Sequence, residues 1–218
     1  MADIRQSSVI QDDFNRVENP LSHGGDWTNP DTFWNPLEAN GSQARISTGV
    51  YCNSAWTSEA LSGDNAECWA WTKGGNSPSH AWGFHLYTTS SVGGSGASDG
   101  YFWRMEITTG GGTCYMYRLD NNAGTILDTE TSNPGTGGDW YGLIRRVGTT
   151  LEGWASGDST GATGWTQFLS ASDGTYTGPM YAGLSCAGSL LGFDYFGFGK
   201  QINRPQIYRI VRGQITVG

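Results

Sequence analysis

The sequence predicts an all-β fold, and three observations carry the prediction. Helical periodicity is almost absent, alternation with a period of two recurs in short runs, and Gly, Asn, Asp, Ser and Thr separate the runs. Glycine supplies 34 of 218 residues, beside 10 Trp, 10 Tyr and 8 Phe. So many aromatics exclude a disordered chain, and the glycines therefore read as turns and bulges. The length suits one large β domain.

Residues 1 to 10 read as a lead-in, residues 11 to 199 as the domain, and residues 200 to 218 as a tail of different character. Strands are expected at 9–16, 43–48 and 66–72. Next come two strongly alternating runs. Trp82, Phe84 and Leu86 alternate with Gly83, His85 and Tyr87, and Tyr101, Trp103, Met105 and Ile107 alternate with Phe102, Arg104, Glu106 and Thr108. A hairpin spans Thr113 to Asp128, with Asn121, Asn122 and Gly124 supplying the positive φ angles of the reversal. A second joins Trp140 to Val147 and Leu151 to Ala155 through Gly148-Thr149-Thr150. Further strands are expected at 165–170, 180–186 and 192–199, and long loops at 17–42, 89–99 and 156–164. In the tail, Lys200, Arg204, Arg209 and Arg212 alternate with apolar residues, so it is either one more strand or an arm that docks on a partner.

A formal net charge of −8 and a pI near 4.7 argue against nucleic acid and anionic membrane, both of which reward clustered cations. No apolar run is long enough for membrane insertion, and Met1-Ala2-Asp3-Ile4-Arg5 lacks the basic start and apolar stretch of an export signal. Cys52, Cys68, Cys114 and Cys186 form no C-x-x-C pair. They read as small buried hydrophobes, with a Cys52–Cys68 disulfide as the alternative.

Asp12-Asp13-Phe14-Asn15-Arg16, then Pro20-Leu21 and Trp27-Thr28, resemble the opening of bacterial and phage domains of the concanavalin A-like lectin/glucanase (laminin G-like) superfamily. Gly148 to Trp154, Tyr176 to Leu184 and Phe193-Asp194-Tyr195-Phe196 look like that superfamily's closing strands. The resemblance implies a jelly-roll sandwich of two antiparallel sheets with its first and last strands adjacent. Members bind glycans, hydrolyse them or serve as adhesion modules, and fold alone does not choose among these roles. The acidic, Gly- and Trp-rich chain with a basic tail looks most like a phage virion protein, a head decoration or tail component. That implies assembly in a host cytoplasm, or otherwise an extracellular location, with repeated copies or a homo-oligomer on the particle. Its partners are then a capsid or tail protein and a host surface glycan, with Arg204, Tyr208, Arg209 and Arg212 as the anchor.

Glu67, Trp69 and Trp71 share one face of their strand, opposite the small residues Cys68, Ala70 and Thr72. Two indoles and a carboxylate there make either a sugar-stacking surface or a packed core edge. With His85, Tyr87, Phe102, Arg104 and Glu106 they define a candidate glycan groove in which rings stack on sugar C–H faces and polar groups meet hydroxyls. For the alternative, a glycoside hydrolase, Glu67 and Glu106 are the nominated carboxyl pair, and they must lie within about 10 Å of each other. The E-x-D-x-E motif of the laminarinase-like branch is absent. No zinc or phosphate-loop motif is present, and no cofactor is expected. Calcium, used by some members, has weak candidate ligands in Asp12-Asp13, Asp64-Asn65, Asp120-Asn121-Asn122 and Asp194, all of which also read as turn residues.

Overall fold

Each alternating run becomes a strand in the computed structural model, which describes residues 4–5, 10–28, 35–46, 51–61, 65–74, 80–88, 99–108, 111–131, 139–188, 191–199, 209–211 and 214–216. The first part of the chain supplies β1 (Val17–Glu18), β2 (Trp27–Thr28), β3 (Asn35–Asn40), β4 (Ala44–Ile46), β5 (Tyr51–Trp56) and β6 (Asn65–Lys73). The middle supplies β7 (His80–Tyr87), β8 (Gly100–Thr108), β9 (Gly111–Asp120), β10 (Ala123–Glu130), β11 (Trp140–Val147) and β12 (Thr150–Ser156). β13 (Thr166–Ser172), β14 (Tyr181–Ala187) and β15 (Gly192–Gly199) complete the sandwich. In the tail, β16 (Arg209–Val211) and β17 (Gln214–Thr216) pair with each other as a two-stranded hairpin.

Two layers result. The front sheet runs β10-β9-β8-β7-β14-β5, and the back sheet runs β3-β4-β15-β6-β11-β12-β13. β3 joins them, antiparallel to β4 and parallel to β5 through Asn35 opposite Cys52. At the far edge the Ser170 N–H of β13 donates to Asp128 of β10 at 2.8 Å.

The core takes Trp82, Phe84 and Leu86 from β7 and Tyr101, Trp103 and Met105 from β8, set against Cys68 and Ala70 of β6 and Ile144 of β11. The small face of β6 turns inward because the opposing layer is full of large rings. Phe84 stacks on Trp103 with centroids 4.9 Å apart, and Trp82 meets Trp140 edge-on at 5.7 Å. Gly142 leaves room for this cluster, since a Cβ there falls 2.1 Å from the Phe84 ring. The chain ends of the sandwich lie side by side. The Phe196 N–H donates to the Asp12 carbonyl at 3.0 Å, and Trp27 packs on Phe196 with centroids 4.7 Å apart.

The two expected hairpins form, the first on a tight turn with Asn121 and Asn122 at φ 52 and 65. Elsewhere the structure departs from expectation. Among the described residues, segment 9–16 contributes a single bridge, Asp12 to Phe196, and segment 17–42 holds three strands and a 3-10 turn at His23–Gly25. β1 and β2 are two residues long, and Pro36 disguises β3 because proline is ordinarily excluded from paired strands. The glycine-rich stretch 90–98 lies outside the described residues.

Candidate functional site

On the back sheet Glu67, Trp69 and Trp71 do share the face away from the main core, but that face is covered. Trp69 is 0% exposed, and with Trp71, Tyr141, Leu143 and Trp165 it forms a second apolar cluster, flanked by Ile4, Trp154 and Tyr195. Gly197, opposite Trp69 on β15, admits the indole so closely that a Cβ would sit 2.1 Å from it. The Arg5 guanidinium lies 4.7 Å from the Trp69 ring centroid and 5.0 Å from that of Tyr141, and donates to the Thr160 carbonyl at 3.1 Å. Glu67 is held by Arg145 of β11, whose Nε donates to it at 2.9 Å, and Arg145 also donates to the Ile4 carbonyl. Trp69 and Trp71 therefore offer no bare surface for a sugar ring. Arg5→Ala is expected to cost about 1–2 kcal/mol through lost cation–π contact and lost packing. Denaturant titration with tryptophan emission checks this: a lowered midpoint and a red-shifted native spectrum are predicted, and an unchanged spectrum contradicts it.

The outer face of the front sheet is a different surface, and its register fixes its composition. One row across it reads Asn53, Ser185, Gly83, Arg104 and Tyr115, and the next Ala55, Gly183, His85, Phe102 and Tyr117. The small residues of β7 and β14 allow rings to lie down on the sheet. A Cβ on Gly83 meets the Phe102 ring at 2.2 Å, and one on Gly183 meets the Tyr87 ring at 2.5 Å. A continuous stack follows. Tyr87 to His85 is 4.8 Å at 10°, His85 to Phe102 is 4.1 Å at 6°, and Phe102 to Tyr117 is 5.7 Å at 22°. Tyr115 extends it from Tyr117 at 5.6 Å.

His85 is buried, and desolvation lowers its pKa to about 3, so it is neutral at ordinary pH. Its Nε2 hydrogen-bonds Ser185 Oγ at 2.7 Å. Tyr87 and Phe102 are buried as well, while Tyr115 and Tyr117 are half-buried and reach the surface. Burial raises the Tyr117 phenol, with Arg104 opposing the shift. Arg104 pairs with Glu106, and both side chains are about a quarter exposed. Beside them lies a shallow cleft lined by Tyr51, Ala81, Phe102, Arg104, Ser185 and Ala187, with Tyr51 45% exposed at its rim. This arrangement offers aromatic faces for apolar ring surfaces, and a paired cation and anion that together donate to and accept from hydroxyls.

The sequence-nominated groove is thus divided between two surfaces. Glu67, Trp69 and Trp71 lie on the back sheet, whereas His85, Tyr87, Phe102, Arg104 and Glu106 lie on the front one. The cause is connectivity: β6 and β7, consecutive in the chain, enter opposite layers. Glu67 and Glu106 consequently project from opposite faces of a sandwich whose sheets stack about 10 Å apart, beyond the reach that carboxyl-pair glycoside hydrolysis needs. Each is also ion-paired, to Arg145 and Arg104 respectively. Tyr51, Ser185, Tyr115 and Tyr117 were not nominated. The alternation of Tyr115 and Tyr117 on β9 was the available signal for two of them.

Among the described residues no group of three His, Cys, Asp or Glu side chains is placed to hold a metal ion. Asp12 receives Arg16 Nη1 at 2.6 Å and Trp27 Nε1 at 2.7 Å, Asp120 receives Arg118 Nε at 2.9 Å, and Lys73 lies 3.6 Å from Asp194. Asp64 lies outside the described residues. So do Arg204, Tyr208 and Arg212, and of Arg209 only the backbone, in β16, is described.

Sheet order, core and chain ends define an all-β jelly-roll sandwich of two antiparallel layers. No protein-family model matches the chain, and no curated protein sequence does. Solved structures do. The carbohydrate-binding module CBM66 from Bacillus subtilis superposes with a TM-score of 0.56 at 12% identity, covering 80% of this chain and 96% of the module. A legume lectin-like domain from Entamoeba histolytica gives 0.57 at 9% identity, covering 87% and 98%. The CBM2 module of the evolved Dit of Lactobacillus casei BL23 phage J-1 gives 0.55 at 13% identity, covering 85% and 92%. At these identities the likeness is one of fold.

Proposed function

We propose that this chain is a lectin-like module that binds a neutral glycan on the outer face of its front sheet and is carried in repeated copies on a virion. The observation that carries the reading is the convergence on one open surface of Tyr115 and Tyr117, the exposed Tyr51, and the Arg104–Glu106 pair beside a cleft. Sugars present flat C–H faces and fans of hydroxyls, which these two kinds of group complement. Because Arg104 and Glu106 offset each other, the site favours an uncharged ligand over a uronate or a sulfated chain. The sandwich neighbours named for carbohydrate binding support the glycan half of the reading, and the phage Dit module supports the virion half. In this reading the basic tail meets the capsid or tail protein.

A glycan array followed by calorimetry tests the binding half. The protein is expected to retain a neutral oligosaccharide. Tyr117→Ala should weaken it about tenfold, the loss of one stacking contact of roughly 1.4 kcal/mol, and Arg104→Ala by a similar factor. Wild-type affinity in both folded variants would place the ligand elsewhere.

A further inference from the structure

Four cysteines are present, all buried thiols, and two of them face each other. In the β5–β14 ladder Cys186 stands directly opposite Cys52. Both side chains join the main core between the sheets, at 3% and 0% exposure. Cys68 and Cys114 sit on β6 and β9, which are not paired in a sheet with each other or with β5 or β14, and the Cys68 thiol instead donates across the sandwich to the Gly183 carbonyl at 3.4 Å. The four behave as the small buried residues expected from sequence, and the alternative Cys52–Cys68 disulfide is not formed.

From this juxtaposition we propose that Cys52 and Cys186 are a redox-active dithiol that a small-molecule disulfide closes to a cross-strand disulfide. Directly opposed residues of an antiparallel pair hold their Cβ atoms about 4.5–5.5 Å apart, and a disulfide asks for about 3.5–4.5 Å. Closing the bond therefore takes a shift of roughly 1 Å between two strands already hydrogen-bonded to each other. The two thiols are close enough to feel each other: burial raises the Cys186 pKa well above the ordinary thiol value, and Cys52 adds to the rise. Both thiols face the core, so an oxidant reaches them when the β5–β14 pair opens or while the chain refolds.

The chemistry balances with oxidised glutathione as oxidant. The Cys186 thiolate attacks one glutathione sulfur, the glutathione S–S bond breaks, and one glutathione thiolate leaves. The Cys52 thiolate then attacks the Cys186 sulfur of the mixed disulfide and expels the second. Protein loses two hydrogens, glutathione gains them, and two electrons pass between the couples. Because burial disfavours the Cys186 thiolate, exchange is expected to be faster at higher pH and during refolding than in the native protein at neutral pH.

The test oxidises the full chain in glutathione buffer, both native and through refolding, and reads intact mass under non-reducing denaturation. Glutamyl endopeptidase then maps the product, since Glu59, Glu67, Glu106, Glu130 and Glu152 separate all four cysteines. Loss of two hydrogen masses is expected, with accessible thiols falling from the four of the reduced chain to two and a single cross-linked peptide pair holding Cys52 and Cys186. The mass loss should persist in Cys68→Ser and Cys114→Ser and vanish in Cys186→Ser. Retention of all four thiols after refolding, glutathione adducts alone, or a bridge involving Cys68 or Cys114 would overturn the proposal. Peptide mapping of the wild type decides the matter even if a variant fails to fold.

Discussion

Trp69→Ala is expected to destabilise the fold by about 3–5 kcal/mol and to leave glycan affinity unchanged in whatever fraction remains folded. The indole is 0% exposed, fits over Gly197, meets Tyr141 edge-on at 5.9 Å and carries Arg5 above it. Removing it empties a site whose walls come from three strands and the N-terminal segment, and such walls collapse only in part. The cost appears as a fall in melting temperature of roughly 10 °C for a chain of this size. A variant of wild-type stability that had lost its ligand would restore the reading of Trp69 as a stacking platform, so chemical denaturation and glycan titration of one preparation distinguish the two.

The second large effect concerns acid. His85 is buried and neutral in the folded state, with its pKa lowered to about 3, whereas an unfolded histidine titrates near 6.5. Between those values the unfolded chain binds the extra proton, so stability rises with pH, and conversely it falls as pH drops from about 6.5 towards 3. The slope approaches 1.4 kcal/mol per pH unit, and the whole loss is on the order of 5 kcal/mol. Phenylalanine preserves the parallel stack between Tyr87 and Phe102 and does not titrate. His85→Phe should therefore flatten the limb between pH 6.5 and 4 in urea titrations, less the cost of leaving Ser185 without its imidazole partner. An unchanged limb in the variant would mean that carboxylates such as Glu18, held at about 2 by hydrogen bonds from His23, Ser22 and Arg16 against the opposing effect of burial, carry the acid sensitivity instead.

The sandwich itself was legible where local chemistry dictates the backbone. Asn121 and Asn122 mark a left-handed turn and Gly148 marks another, so both hairpins follow from their own residues. β5 was not legible, because Tyr51, Asn53 and Ala55 facing Cys52, Ser54 and Trp56 make no clean contrast between an apolar and a polar face. For β6 the inward turn of Cys68 and Ala70 could be read from their size. The cover on its other face could not, because Arg5 and Trp165 arrive from distant parts of the chain. Likewise, nothing local reveals that β6 and β7 part company. Grouping Glu67, Trp69 and Trp71 with His85 and Arg104 treated neighbours in sequence as neighbours on a sheet, whereas β6 in fact lies between β15 and β11. The useful aromatic signal was the quieter one, Tyr115 and Tyr117, whose face stays partly open.

The proposal that the front sheet's outer face is the glycan surface is tested most directly by side-chain NMR of the protein titrated with an oligosaccharide retained on the array. The Tyr115 and Tyr117 ring resonances and the Arg104 Nε–H are predicted to shift saturably while the Trp69 indole N–H stays in place. A saturable shift of the Trp69 and Trp165 indoles, with the tyrosine rings silent, would contradict it.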